Sequence, residues 1–365
     1  MPNPERVAIT LPVEDGLRAA DYVGLAELAE RCGYDAVLAG EVAGPEVFSL
    51  LGMIAARTTS IRIGTGITGM YSRPPALTAM GFATLASGAP GRVIAGLGTS
   101  SPIIVEGWYG TPFVNPVGTA GEFIAVLRQA LTGSAVSFAG RQLSSDGFRA
   151  TLTPPSPVPV LLAAMNPAML RLAGRAADGV FITWTPPDEV ASRLAHVRNG
   201  EREASRPPGQ VWAAASFWAY CGPRTAEALE RLRRVVLQYA MVPTHQASFR
   251  GSFPALDEAA AAWKRGDRRA ALRLVGDDTV HALCAIGGPE TVADYVRALR
   301  AAGVDLPVVL TPGAAPGDVA GSRATITGLA GTLGLTTKIQ KGELARRLTA
   351  ELSNEAENGA WLPRG

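Results

Sequence analysis

Short apolar runs alternate with amphipathic stretches from residue 7 to residue 310, and no other feature constrains the fold as much. Apolar runs at 7–11, 34–39, 61–68, 92–97, 159–164, 179–183, 211–221 and 304–310 read as strands. Helical stretches at 17–32, 46–57, 74–87, 117–131, 167–177, 188–202, 225–239 and 289–302 lie among them. In the first, Ala19, Val23, Ala26, Leu28 and Ala29 recur at roughly helical period, and Gly33 supplies a stop. Repeated strand–helix order argues for parallel strands joined by right-handed crossovers. About eight such units favour a closed (β/α)8 TIM barrel over an open doubly wound sheet.

Three stretches stand outside that pattern. Residues 137–143, SFAGRQL, read as a small hairpin around Ala139-Gly140. Residues 242–276 are polar, aromatic and punctuated by glycine, so an insertion near strand seven is expected there. Residues 314–337 are rich in Gly, Ala and Thr, and 341–357 are charged with a helical pattern. The expected organisation is a barrel over 1–335 carrying that insertion, followed by a C-terminal helical tail over 336–365.

Composition excludes several classes. Of the 365 residues 47% are hydrophobic and 18% charged, which suits a packed enzyme and not a disordered chain. A net charge of +2 gives no argument for attraction to nucleic acid or to a membrane surface. Cys32, Cys221 and Cys284 lack disulfide or zinc-ligand spacing. No apolar run is long enough to span a bilayer, and MPNPERVAITLP does not read as a signal peptide, so a cytoplasmic location is expected.

Residues 64–69, GTGITG, formally match GxGxxG. A dinucleotide fingerprint needs a helix opening on those glycines and an acid about 20 residues on. Here Met70–Pro75 intervenes, and no Asp or Glu occurs between Glu46 and Glu106. Glycines inside a strand mark a bulge or close approach by a ligand, and the residues alone leave both open. The acid-free window carries only Arg57, Arg62, Arg73 and Arg92. It is either a wall for an anionic cofactor or simply a pair of apolar helices.

Further along, Gly96–Ser101 ends a strand in small hydroxyl residues, and Trp108 and Tyr109 follow in its loop. Such residues can border a planar ligand or merely pack the loop. Residues 162–167, LAAMNP, open a helix whose free N–H groups suit a phosphate, with Asn166 as a candidate cap. Asp178 reads as part of a structural turn. His196, which reads as surface, His245 and His281 are far apart, and no HExxH or GxSxG occurs, so a zinc or serine hydrolase has no foothold.

Taken in order, RIGTGITGMYSRPPALTA, ATLASGAPGRVIAGLGTSS, VEGWYG, SFAGRQL, VPVLLAAMNPAMLRLAGRAADGVFITW and GGPETVADYVRAL resemble the luciferase-like oxidoreductases over roughly residues 5–312. The resemblance is closest to the branch that uses coenzyme F420, which includes methylenetetrahydromethanopterin reductase. It implies a bent third strand with a cis Gly66–Ile67 bond backing the deazaflavin ring. It implies ring-edge or tail contacts from Thr68, Thr99, Ser100, Ser101 and Thr183, and phosphate contacts near Ala163, Ala164 and Met165. The implied reaction is hydride transfer between the deazaflavin C5 and a small organic substrate, such as a C=C or C=N acceptor. A homodimer is expected on the same grounds, with the apolar helices two and three as its interface.

One departure matters. Where family members carry Asp-His after strand two, this chain has Gly40-Glu41, and the glutamate that sugar-phosphate dehydrogenases place after the strand-four glycines is replaced near Ser101. Glu41, partly desolvated by Trp184 and Val42, is the expected catalytic acid or base. Tyr71, Trp108, Tyr109 and Trp184 are the expected substrate wall. The alternatives are an FMN-dependent two-component monooxygenase of the same fold, and a diverged barrel that binds a ligand without redox turnover.

Overall fold

The computed structural model describes residues 6–249 and 252–335. From the N-terminus the chain forms β1 (Ala8–Thr10), α1 (Ala19–Arg31), β2 (Ala36–Ala39), α2 (Val47–Arg57), β3 (Arg62–Thr65), β4 (Thr68–Gly69) and α3 (Pro75–Gly88). Next come β5 (Val93–Gly98), a single turn α4 (Pro102–Val105), α5 (Pro116–Leu131), the hairpin β6 (Ser137–Ala139) and β7 (Ser144–Asp146), β8 (Val160–Ala163) and α6 (Pro167–Ala176). They are followed by β9 (Gly179–Thr183), α7 (Val190–Glu203), β10 (Trp212–Cys221) and α8 (Thr225–Ala240). Four short helices then occur in a row: α9 (Pro243–Phe249), α10 (Ala255–Lys264), α11 (Arg268–Leu274) and α12 (Asp277–Leu283). The chain returns through β11 (Cys284–Gly287), α13 (Pro289–Ala301), β12 (Leu306–Leu310) and α14 (Val319–Leu333).

Every strand pairing in the main sheet is parallel. The order β1-β2-β3-β5-β8-β9-β10-β12 returns to β1, with β4 continuing the third position beside β5, so the eight-stranded barrel closes. Alternation along the strands separates two cores. Ala8, Ala36, Leu38, Ile94, Leu161, Phe181, Ala214, Leu306 and Val308 meet on the axis. Ile9, Val37, Ile63, Ala95, Val160, Leu162 and Val309 face outward against the helices.

Helix ends follow their sequence cues. Proline occupies the first turn of α3, α5, α6 and α13. Glu46 caps α2 by accepting from the Phe48 and Ser49 amides. Gly33, at φ 83°, lets the chain leave α1 in the left-handed region.

Several expectations need correction. Strand three is two pieces, because the chain kinks at Gly66-Ile67 and resumes pairing with β5 at Thr68. The helix at 289–302, expected between strands seven and eight, is preceded by an unforeseen four-residue strand, β11, added beside the end of β10. The eighth-strand helix is α14, in the Gly/Ala/Thr-rich stretch that stands outside the strand–helix alternation of the sequence but within the expected barrel span. There Tyr34 Oη donates to Ile326 O at 2.9 Å, binding α14 to the turn after α1. The hairpin turn spans 140–143, where the Glu122 carboxylate accepts from the amides of Arg141, Gln142 and Leu143. The charged segment 341–357 and the expected tail 336–365 lie outside the described residues. Among the described residues, no helix is long and apolar enough to cross a membrane.

Candidate functional site

Continuing the axial alternation past the core residues, by four residues from Ile94 and by two from Gly64 (the partner of Leu38) and the others, brings Thr10, Gly40, Gly66, Gly98, Ala163, Thr183, Ser216 and Leu310 to the C-terminal rim of the barrel. One half of this rim is made of small residues in mutual contact. A Cβ on Gly98 would stand 2.7 Å from Ile67 Cδ1 and 3.3 Å from Ala163 Cβ. One on Gly66 would stand 2.8 Å from Leu38 Cβ, and one on Gly40 3.4 Å from Gly66 O. The Gly66–Ile67 peptide is cis. The Gly66 amide donates to Ala39 O at 2.7 Å, and Ile67 O accepts from the Glu41 amide at 3.0 Å. The Ile67 side chain packs on the axial core, so this half presents a shallow apolar floor suited to a flat ring.

Hydroxyl residues border that floor. Thr68 and Ser101 are buried and Thr99 and Ser100 half-buried. Ser100 turns the chain outward at φ 59°. Opposite them, Ser216 Oγ donates to Thr183 Oγ1 at 3.0 Å.

Glu41 sits where β2 leaves the barrel, but it is not free. Thr68 Oγ1 donates to its Oε2 at 2.6 Å, and Arg73 Nη2 donates to its Oε1 at 2.8 Å. The same Arg73 nitrogen also pairs with Glu46. Both oxygens are therefore accepting. Trp184, expected beside Glu41, instead stacks on Trp218 at 5.9 Å and on Tyr239 at 4.6 Å, within the core formed by β10 and α8–α12.

Ala163, Ala164 and Met165 lead into the N-terminus of α6, whose first turn has no side-chain cap. Asn166 stands at the cap position but turns away. Its Nδ2 donates to Thr244 O at 2.9 Å, and its Oδ1 accepts from Ser248 Oγ at 3.2 Å. Arg193 donates to Met165 O at 3.0 Å and to Ser248 O at 3.1 Å, while its buried Nε has no partner. Free amides, a nearby guanidinium and an unpaired donor suit an anionic group such as a phosphate. The rim as a whole therefore fits a planar ring carrying a phosphorylated tail.

Tyr71, Trp108 and Tyr109 do not join this floor. Tyr71 Oη donates to Val114 O at 2.6 Å and its ring packs on Phe113 at 5.1 Å, so it anchors the loop between β5 and α5. Trp108 and Tyr109 lie on that loop, 53% and 46% exposed. The arginines of the acid-free window are likewise engaged: Arg57 with Glu27, Arg62 with Asp35, and Arg92 with Thr58 and backbone carbonyls. They do not form an open cationic wall.

Sequence reasoning missed Glu14 and left His245 and its partner Tyr239 unassigned. Glu14 follows β1 at the same rim. Although its surface reaches solvent, crowding by protein and the charge of Asp15 push its carboxyl above the usual range, against the pull of Arg231. Its charge in turn raises the Tyr239 phenol, after burial of that ring. His245 stacks on Tyr239 at 5.6 Å, burial lowers it to about 4, and its Nδ1 lacks a partner. His196, expected on the surface, is half-buried. A carboxylate four residues past a barrel strand was the available signal for Glu14.

Two cavities lie elsewhere, one of about 440 Å³ between Cys221, Gly288 and Gly328, and one of about 480 Å³ between α1 and α2. Neither reaches the small-residue floor. Among the described residues, no cluster of His, Cys, Asp and Glu could hold a metal ion.

A closed parallel barrel with its polar groups gathered at the strand C-termini is the layout of a TIM-barrel enzyme. Residues 6–306 match the luciferase-like monooxygenase family, and the chain belongs to that family. It is 32% identical to the 5,10-methylenetetrahydromethanopterin reductase of Methanolobus tindarius over 206 residues, 56% of this chain and 62% of that protein. It is also 32% identical to the F420-dependent hydroxymycolic acid dehydrogenase of Mycobacterium tuberculosis, over 62% of this chain and 67% of that one. Its fold is similar to the coenzyme F420-dependent tetrahydromethanopterin reductase of Methanopyrus kandleri, with a TM-score of 0.76 and 24% identity, covering 90% and 99% of the two chains.

Proposed function

We propose that this protein is an F420-dependent oxidoreductase acting on a small organic substrate without a phosphate group. The observation that carries this reading is the contiguous floor of Gly40, Gly66, Ile67, Gly98 and Ala163, together with the F420-dependent relatives. Gly66, Ile67, Gly98 and Ala163 would lie against the ring. Thr68, Thr99, Ser100, Ser101 and Thr183 would meet its edges or tail. Ala163–Met165, the α6 N-terminus and Arg193 would hold its phosphate. When bound, reduced F420 supplies a hydride from C5.

The chain's own residues then orient the substrate and handle the proton. Glu14, whose carboxyl is raised by the protein crowded around it and by the charge of Asp15, would hold the proton that accompanies the hydride. Glu41 would fix Thr68 and the kinked third strand, since its oxygens are committed to Thr68 and Arg73. Away from that phosphate site, Arg73 and Arg231 each face a carboxylate at 3.1 Å or less, which disfavours an anionic substrate. A cytoplasmic homodimer is part of the same reading. Helix α3 carries no charge and exposes Leu77 and Met80.

Titration of the purified protein with F420 and with FMN tests the proposal. F420 binding in the micromolar range or tighter, with hydride turnover of an organic acceptor, is the expected result. Tight FMN binding without F420 binding would transfer the reading to a two-component monooxygenase. F420 binding with no turnover of any acceptor would leave a ligand-binding barrel.

A further inference from the structure

Thr10 closes β1 at the rim. Ala8 belongs to the axial core and Ile9 to the outer one, so alternation turns Thr10 toward the axis. It is 3% exposed, and its Oγ1 has no hydrogen-bond partner. The other axial hydroxyls of the rim, Thr183 and Ser216, satisfy each other. Thr311 also lacks a partner, but it follows the axial Leu310 and so belongs to the opposite face. Its amide donates to Thr10 O at 3.3 Å and steadies the end of β1.

An unpaired buried hydroxyl is unfavourable, whereas valine would fill the same volume with no polar atom to satisfy. Thr10 therefore lacks a structural use for its hydroxyl in the ligand-free protein. Its position supplies one. Thr10 pairs with Leu38, two residues before Gly40, which places it beside the small-residue floor. Glu14 leaves the same strand four residues later.

Resting on the oxidoreductase reading above, we propose that the Thr10 hydroxyl donates a hydrogen bond to the carbonyl oxygen of the substrate, or to the equivalent imine nitrogen. The bond polarises the acceptor while the hydride adds to its carbon and Glu14 delivers the proton. The electron pair displaced from the C=O, C=N or conjugated C=C bond is taken by the atom that receives the proton. A fixed neutral donor needs no reorganisation as charge develops there.

The test uses 2-cyclohexen-1-one labelled with 13C at the carbonyl, bound to the protein with oxidised F420, and follows the carbonyl stretch by infrared difference spectroscopy. Wild type is expected to show a stretch shifted to lower frequency, Thr10→Ser to retain it and Thr10→Val to lose it. Turnover of Thr10→Val should fall about tenfold to a hundredfold. Its Tm should equal or exceed that of wild type, which a hydroxyl with a purely structural role would not allow. The same shift in wild type and Thr10→Val, no bound carbonyl signal in wild type, or a lowered Tm in Thr10→Val would overturn the assignment. F420 titration of both proteins runs separately. Failure of wild type to bind F420 defeats the oxidoreductase reading, and the Tm comparison still decides whether the Thr10 hydroxyl is unpaired.

Discussion

Thr68 Oγ1 donates to Glu41 Oε2 at 2.6 Å, and this bond ties the outer half of the kinked third strand to the loop after β2. Arg73 closes the carboxylate from its other side. Replacing Glu41 by Ala frees Thr68 and leaves Arg73 only Glu46. A loss of about 1–3 kcal/mol in stability is expected, with at least tenfold weaker F420 binding. Glu41→Gln retains an acceptor for Thr68 and should keep turnover within about tenfold. Calorimetry and F420 titration read the first effect and steady-state kinetics the second. Turnover abolished in Glu41→Gln at unchanged Tm would return the proton to Glu41.

Much of this arrangement was legible in the sequence because it is local. The strand–helix alternation defines the barrel, and the strand glycines mark close approach: Gly64 and Gly96 to neighbouring backbone, Gly66 and Gly98 to the side chains of Leu38 and Ile67. What the sequence hid is long-range. Arg73 is 32 residues from Glu41, and Asn166 is 78 from Thr244, so neither partner could be assigned from spacing. Helix α14 escaped notice because its buried face uses Ser322, Thr325, Ile326, Leu329 and Ala330, too weakly apolar to show a stripe. An aromatic near a rim, such as Tyr71, suits either a substrate wall or a loop anchor, and its bond to Val114 O and packing on Phe113 separate the two.

Gly98 tests the floor directly. A Cβ there meets the tip of Ile67, a side chain able to turn, so Gly98→Ala should fold with little change in Tm. The displaced Ile67 would intrude on the ring, and F420 affinity should fall about tenfold or more by fluorescence titration, a loss of about 1.4 kcal/mol. Gly64→Ala is the contrast. Its Cβ would stand 2.5 Å from Ile94 O, a backbone atom that cannot yield, and loss of soluble protein is expected.

His245 sets an acid limit on stability. Burial lowers it to about 4 from an ordinary value of 6.5. Between those values the unfolded chain binds the extra proton, so stability increases with pH there. The contribution is complete above pH 6.5 and is lost as pH falls through about 4. Its size is roughly 2–3 kcal/mol. Melting curves from pH 7 to pH 4 should fall more steeply for wild type than for His245→Phe. Parallel curves would mean that the imidazole is not shielded.

Leu77 and Met80 are three residues apart on uncharged α3, 48% and 50% exposed, on the face assigned to the partner copy. Glutamate at either position would place a charge in an apolar interface, at several kcal/mol for the dimer. Light scattering after size exclusion should show dimeric wild type and monomeric Leu77→Glu/Met80→Glu with an unchanged circular-dichroism spectrum. Monomeric wild type would remove the homodimer from the proposal.

Asp15, 2% exposed in its side chain, joins three segments at the rim. Arg231 of α8 donates to its Oδ2 at 3.1 Å, Gly313 N donates to the same oxygen at 3.2 Å, and Arg231 Nη1 also donates to Gly313 O at 2.7 Å. Asp15→Ala leaves Arg231 without its carboxylate and should cost about 3–5 kcal/mol. Asp15→Asn keeps an acceptor and should fold, and its value lies in the pH profile. Asp15 raises the neighbouring Glu14 carboxyl, whereas Arg231 lowers it. Removing the Asp15 charge leaves only the lowering influence of the pair. If Glu14 delivers the proton, the fall in turnover with rising pH should begin at lower pH in Asp15→Asn than in wild type. A profile that does not move would take Glu14 out of the reaction, because no proton donor so close to Asp15 could be indifferent to its charge.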